Sequence, residues 1–100
     1  MSKYDVFADP RASGNLLIVV QDDLFDMLDT RLAIPLLPED GRRTPLNRLN
    51  PVFPVGEKSY VLYTQHMVAV PRHVLKGPVA NLRERCDEIT AAVDFLNRGF

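Results

Sequence analysis

The chain offers few residues that could do acid–base or nucleophilic chemistry. Its two histidines, His66 and His73, are seven positions apart, with a predicted strand end and a loop between them. A metal site on this pair would need a third protein ligand that the spacing does not supply. The single cysteine, Cys86, falls on the apolar side of a predicted helix, and no histidine is placed in the sequence to activate it. The pattern favours surface histidines and a small buried thiol, and we predict no catalytic residue.

Four aspartates surround a short apolar segment and could form a carboxylate site for a hard cation. They are Asp22, Asp23, Asp26 and Asp29. Calcium-binding loops place glycine at the bend and supply oxygen ligands at regular positions, and this segment does neither. The alternative is a loop or single helical turn whose aspartates are solvated or cap the turn. We therefore predict no metal site and no cofactor.

Arg42, Arg43 and Arg48 form a basic cluster in and beside the most polar stretch, residues 39–47. Two interpretations stay open. The cluster is an exposed loop kept soluble by its charges, or it contacts an acidic protein segment or RNA. No glycine-rich phosphate loop and no nucleophile–base arrangement accompanies it in the sequence.

The last 22 residues, 79–100, are the segment most clearly predicted to be helical. Apolar residues recur there in steps of three and four, which puts them on one face of an α-helix. They are Val79, Leu82, Cys86, Ile89, Val93 and Leu96. Gly77 and Pro78 suit a helix start, while Asn81 followed by Glu84 offers a slightly later one. Gly99 can end the helix.

Short apolar runs separated by turn formers precede this helix. We predict strands over residues 4–7, 16–20, 31–38, 49–55, 59–65 and 67–70. The run 16–20 has no polar face, which is typical of a strand buried on both sides or covered by a partner subunit. Pro35 and Pro38 lack an amide N–H, so we expect them at a strand end or edge. The fold class is α+β and β-rich: a small antiparallel barrel or curled sheet with a C-terminal amphipathic helix.

Composition limits the possible functions. One hundred residues predict a single domain, 1–100, with a core small enough to make a dimer a natural expectation. The net charge of −1 argues against a protein that binds nucleic acid mainly through overall positive charge. A lone cysteine suits a reducing compartment. The acidic residue at position 5 argues against a signal peptide, and no apolar run is long enough to span a membrane, so we expect a cytoplasmic protein.

Several segments, in this order and spacing, resemble the CcdB toxins of bacterial type II toxin–antitoxin modules. The segments are VQDDLFD at 20–26, IPL at 34–36, LNPV at 49–52, VGE at 55–57 and MVAVP at 67–71. The terminal amphipathic helix, which ends in Gly99 and one apolar residue, completes the set. The resemblance covers essentially the full chain.

This resemblance implies a homodimer of SH3-like barrels with a C-terminal helix. It implies a toxin that is not an enzyme and that binds the A subunit of DNA gyrase, trapping the cleaved DNA complex. A CcdA-like antitoxin would neutralise it. Operator DNA would be contacted only indirectly, through the antitoxin complex that regulates transcription.

The same resemblance, together with the exposed aromatics expected near the helix end, implies two sets of site residues. The gyrase-binding set is Leu24, Phe25, Glu88, Ala91, Asp94, Phe95, Arg98, Gly99 and Phe100. The antitoxin-binding set is Arg11, Arg42, Arg43 and Arg48.

The chain departs from the family pattern at its end. Well-known gyrase poisons of the family end in Phe-Trp-Gly-Ile, whereas this chain has Arg98 at the position of the tryptophan that stacks on gyrase arginines. An arginine in place of this tryptophan lacks the flat apolar ring for stacking, and its positive charge would face the positive charges of the gyrase arginines. One alternative is therefore a CcdB-like protein that has lost or changed its gyrase target. The other is a MazF- or Kid-like endoribonuclease, which would use Arg31, Arg42, Arg43, Thr44 and His66.

Overall fold

The computed structural model describes residues 1–25, 27–41 and 48–98. Its strands are β1 (Asp5–Ala8), β2 (Leu16–Val19), β3 (Thr30–Pro38), β4 (Val52–Val55), β5 (Lys58–Leu62), β6 (Val68–Pro71) and β7 (Ala80–Asn81). The α-helix of the described part is α1 (Cys86–Arg98). Single 3-10 turns occupy Asp23–Phe25, Thr64–His66, Arg72–Val74 and Arg83–Arg85.

The strands form one antiparallel sheet in the order β4-β5-β3-β2-β1-β7, and β6 also pairs with β3. The long strand β3 makes this arrangement possible. Its first half, Thr30 to Ala33, pairs with β6, and its second half, Leu36 to Pro38, pairs with β5. Because β3 changes partner along its length, the sheet curls into a nearly closed barrel. The predicted α+β, SH3-like barrel with a terminal helix is confirmed.

Strand β2 is buried on both of its faces, as the apolar run 16–20 indicated. Successive side chains of a strand point to opposite faces, so neighbours in β2 enter different cores. Ile18 joins the cluster that includes Ile34, Phe53 and Ile89 of α1, on the helix-covered face. Leu17 and Val19 join a second cluster on the other face, which includes Phe7, Val70 and Leu75. The chain's own curvature therefore covers β2.

Pro35 contradicts the expectation that prolines lie at a strand end or edge. It is in the middle of β3, opposite Leu17 of β2, whereas Pro38 ends the strand as expected. The carbonyl of Pro35 accepts a hydrogen bond from the amide of Tyr63. In an antiparallel strand the amide and carbonyl of one residue point the same way. The missing N–H therefore falls in the gap between the β6 and β5 pairings, where no ladder bond is lost.

The helix begins later than its spacing predicted. Residues 79–85 form β7 and a 3-10 turn, and α1 starts only at Cys86. Ala80 pairs with Val6 of β1, and the amide of Val79 donates to the Val6 carbonyl at 2.7 Å. Val79 is 58% exposed, so it is not part of the buried stripe. Pairing with β1 outweighs the local helical pattern because it satisfies the same backbone groups and also closes the sheet.

Within α1 the buried positions are Ile89 and Ala92, while Cys86, Val93 and Leu96 are half-buried. Ala92 was absent from the predicted stripe. Its methyl group lets the helix approach the barrel closely. No helix of the described residues is long and apolar enough to cross a membrane.

Candidate partner-binding face

The outer face of α1 carries the predicted residues of the last helix. Glu88, Ala91, Asp94 and Arg98 are exposed, because they lie opposite the two buried residues of the helix. Ala91 is the small residue among them. A flat position between charged side chains lets a partner approach the helix backbone.

Phe95 differs from its expected state as an exposed aromatic. It is half-buried, and the guanidinium carbon of Arg48 lies 4.8 Å from its ring centroid. This distance is within the range of cation–π contacts. The structure therefore brings together a residue predicted for antitoxin binding and one predicted for gyrase binding.

A cleft opens at this contact, and we call it the helix-end cleft. It encloses about 240 Å³. Its lining residues are Arg48, Ala91, Asp94, Phe95 and Arg98. A second hollow continues it along the helix toward Glu88 and Pro51. Glu88 is held by Arg85 in an ion pair of 2.7 Å, so its carboxylate is already partly neutralised.

Side-chain hydrogen bonds fix the segment that carries Arg48. Asn50 is buried, and its Nδ2 donates to the carbonyl of Leu62 at 2.9 Å and to Oε1 of Gln65 at 2.7 Å. The hydroxyl of Thr64 donates to the carbonyl of Leu49 at 2.6 Å. Sequence reasoning missed these positioning residues. The available signal was the asparagine before Pro51, a residue type that commonly bonds to nearby backbone.

The acidic loop presents exposed apolar residues. Leu24 and Met27 are 84% and 87% exposed. Asp22 accepts the amide of Leu24, and Asp23 accepts the amide of Lys3. These aspartates hold the backbone of the predicted turn, and the described residues contain no group that could hold a metal ion. Asp26 lies outside the described residues.

Arg11 has a local structural partner. Its Nε and Nη2 donate to the two carboxylate oxygens of Asp9, each at 3.1 Å, and its own amide donates to Asp9 Oδ1. The hydrogen bond to Asp9 raises the pKa of the Arg11 guanidinium, against the opposing effect of burial. Since the Asp9 side chain is almost fully buried, Arg11 neutralises it. A role in antitoxin binding would have to coexist with this pair.

Two of the residues considered for RNA cleavage, Arg31 and His66, lie in the described part of the chain. Arg31 is buried, and its Nη1 donates to the carbonyls of Leu28 and Thr30. His66 stacks on Tyr63 with ring centroids 5.3 Å apart. The other predicted site residues lie outside the described part of the chain: Arg42, Arg43, Thr44, Gly99, Phe100 and the side chain of Phe25.

A separate groove runs between α1 and the sheet. It encloses about 160 Å³ and is largely apolar. Its lining residues are Lys3, Tyr4, Val20, Leu32, Met67, Ile89, Thr90 and Val93. Leu32 is 38% exposed although it lies in the central strand β3.

The barrel and its terminal helix define a class of small SH3-like barrel proteins. Comparison with known families identifies the particular one. The family model described as CcdB protein matches residues 3–99. The chain therefore belongs to the CcdB family, and it is a CcdB-like toxin of a toxin–antitoxin module.

Proposed function

We propose that this protein poisons DNA gyrase by binding its A subunit and trapping the cleaved DNA complex. A CcdA-like antitoxin neutralises it, and operator DNA is contacted only through that complex. The observation that carries the proposal is the face of α1 on which the exposed Glu88, Ala91, Asp94 and Arg98 lie beside the half-buried Phe95, in a chain of the CcdB family. The toxin acts by binding, without catalysis of its own.

The fold supports this mode of action because it anchors α1 in the core. Ile89 and Ala92 anchor one side of α1 in the core, so the opposite side is presented on a fixed support. A preorganised surface loses little conformational entropy on binding. In the proposed mechanism two such helix ends, one from each subunit of a dimer, insert between the arms of gyrase.

Ala91→Arg tests the face directly. We expect gyrase-dependent cleavage complex to fall by more than about tenfold, because a long charged side chain would occupy the surface that gyrase must approach. The measurement is a DNA supercoiling and cleavage assay with purified protein and bacterial gyrase. Ser59→Arg, which adds the same charge at an exposed position of β5, is the control and should stay active. Equal activity of parent and Ala91→Arg would contradict the proposed face.

The position of Arg98 in the cleft favours one alternative, a CcdB-like protein with a lost or changed gyrase target. The same assay separates the two. A parent that yields no cleavage complex and does not bind the A-subunit fragment would end the gyrase proposal. If Arg98→Trp then becomes active, the family site is intact and only its target preference has changed.

The apolar groove supports a homodimer. We expect Leu32→Glu to raise the dimer dissociation constant about a hundredfold or more, since a buried unpaired carboxylate costs several kcal/mol. Size-exclusion chromatography with light scattering measures the change. Val79→Glu makes the same substitution at an exposed residue outside the groove and should leave the dimer intact. A dimer that tolerates Leu32→Glu would place the interface elsewhere.

A further inference from the structure

We propose that the helix-end cleft is a carboxylate-binding site that accepts a single Asp or Glu side chain of a protein partner. The inference rests on the proposed function only in taking this face as the partner-binding surface. It names the chemistry of the group that enters: an anionic side chain, held between Arg48 and Arg98.

The charges in the cleft favour an anion. Arg48 and Arg98 are both exposed, and within residues 1–25, 27–41 and 48–98 no carboxylate pairs with either guanidinium. Asp94 is the acidic residue of the lining, so the two cations exceed the anions by one. Glu88, in the adjoining hollow, is bound to Arg85. A ligand with one carboxylate would therefore complete the charge balance.

The geometry suits a carboxylate in particular. The guanidinium carbon of Arg48 lies over the ring of Phe95, 4.8 Å from its centroid, and within the described residues no hydrogen bond occupies the N–H groups of Arg48. Such N–H groups form the fork that binds a carboxylate through two parallel hydrogen bonds. The small side chain of Ala91 leaves the room in which the ligand sits. Contact with the aromatic ring also excludes water from one side, which strengthens the charge interaction.

The surroundings disfavour a nucleic-acid strand. Asp87, Glu88 and Asp94 are exposed along the same helix. A polyphosphate backbone would extend past the cleft and meet these carboxylates, whereas a single acidic side chain meets the arginines first. We therefore infer a protein ligand.

The test is a titration of the isotope-labelled full chain, followed by NMR, with a short peptide that carries one glutamate among uncharged residues. A matched peptide with glutamine in place of the glutamate is the control ligand. We expect the glutamate peptide to shift the Arg48 and Arg98 side-chain signals and the Ala91 amide. Arg48→Ala and Arg98→Ala should each weaken binding about tenfold at low ionic strength, the loss expected for a charge-assisted contact.

Two further variants separate this site from a general effect of charge. Arg83→Ala removes an exposed arginine of the 3-10 turn, outside the cleft, and should leave binding within about twofold. Asp94→Asn removes the opposing carboxylate and should tighten binding severalfold, an effect that structural damage would not produce.

Several results would overturn the proposal. The first is that the glutamine peptide binds as tightly as the glutamate peptide. The second is that Arg83→Ala and Arg98→Ala weaken peptide binding equally, or that Asp94→Asn does not strengthen it. The third is that a single-stranded oligonucleotide binds the same residues more tightly than the glutamate peptide does. The gyrase assay is scored separately on the same samples. A parent inactive on gyrase with the expected peptide behaviour refutes only the gyrase function. A parent active on gyrase that shows no carboxylate binding refutes only the site proposed here.

Discussion

Ile89→Ala is expected to lower the free energy of unfolding by about 3 kcal/mol, within the range measured for buried isoleucine truncations. Ile89 is 1% exposed and joins α1 to the core cluster that contains Phe53 and Ile34. The truncation leaves a cavity between helix and barrel that the rigid sheet cannot close. Urea unfolding followed by circular dichroism measures the loss, at one fixed protein concentration because the proposed dimer makes stability depend on it.

Asn97→Ala is the matched control for this prediction, because Asn97 lies outside both the apolar groove and the helix-end cleft. It truncates an exposed side chain of the same helix and should change stability by less than about 0.5 kcal/mol. Since α1 carries the cleft, Ile89→Ala should also lose partner binding at denaturant concentrations where the control still binds. Equal stabilities of the two variants would mean that the helix is held by other contacts.

Asn50→Asp is expected to cost about 3 kcal/mol, since it buries a charge and removes the amide that donates to Leu62 and Gln65. The side-chain amide of Asn50 donates to the carbonyl of Leu62, and the substitution puts an anionic oxygen against that carbonyl. The segment that carries Arg48 would then separate from β5, and the Arg48–Phe95 contact would be lost. Burial raises the pKa of such a carboxyl in the folded state above its value in the unfolded chain. Part of the lost stability should therefore return as the pH falls through the folded-state pKa toward the unfolded-state pKa. Urea unfolding at several pH values tests this.

Gln65→Glu controls for the charge. Gln65 accepts a hydrogen bond from Asn50 through Oε1, and a glutamate oxygen can accept the same bond. Because position 65 is exposed, the added charge stays solvated and stability should change by less than about 0.5 kcal/mol. If Asn50→Asp proved as mild as this control, Asn50 would not be the residue that holds the segment.

The helix and most strands could be predicted because their patterns are local. The spacing of Ile89 and Val93 marks a helix whatever it packs against. The start at Cys86 could not be predicted, because Ala80 and Asn81 form a strand too short to have a pattern of its own. Their pairing partners, Val6 and Asp5, lie in the first strand of the chain. The position of Pro35 was predicted wrongly for a similar reason. The rule on proline assumes that a strand pairs with one neighbour along each edge, whereas one edge of β3 pairs first with β6 and then with β5.

Only the helix residues of the candidate site could be predicted from the sequence. Helical spacing alone puts Glu88, Ala91 and Arg98 on one exposed face. The contact of Arg48 with Phe95 was not predictable, because it depends on the bonds that Asn50 and Thr64 make with distant backbone. For the same reason the sequence separated Arg48 from the helix residues into a different site, whereas the structure places them in one cleft.

The construction of the cleft from two chain segments has a consequence for evolvability. Arg48 and Arg98 are fifty positions apart, both exposed, and neither belongs to the core clusters. A substitution at either position can alter partner preference at little cost in stability, since exposed residues away from special contacts change it only slightly. The effects of substitutions at positions 48 and 98 on partner preference should depend on each other. An aromatic residue at position 98, for example, would lie beside a basic neighbour only if position 48 stays basic. New specificities can therefore arise by pairwise change at the rim while the barrel stays constant.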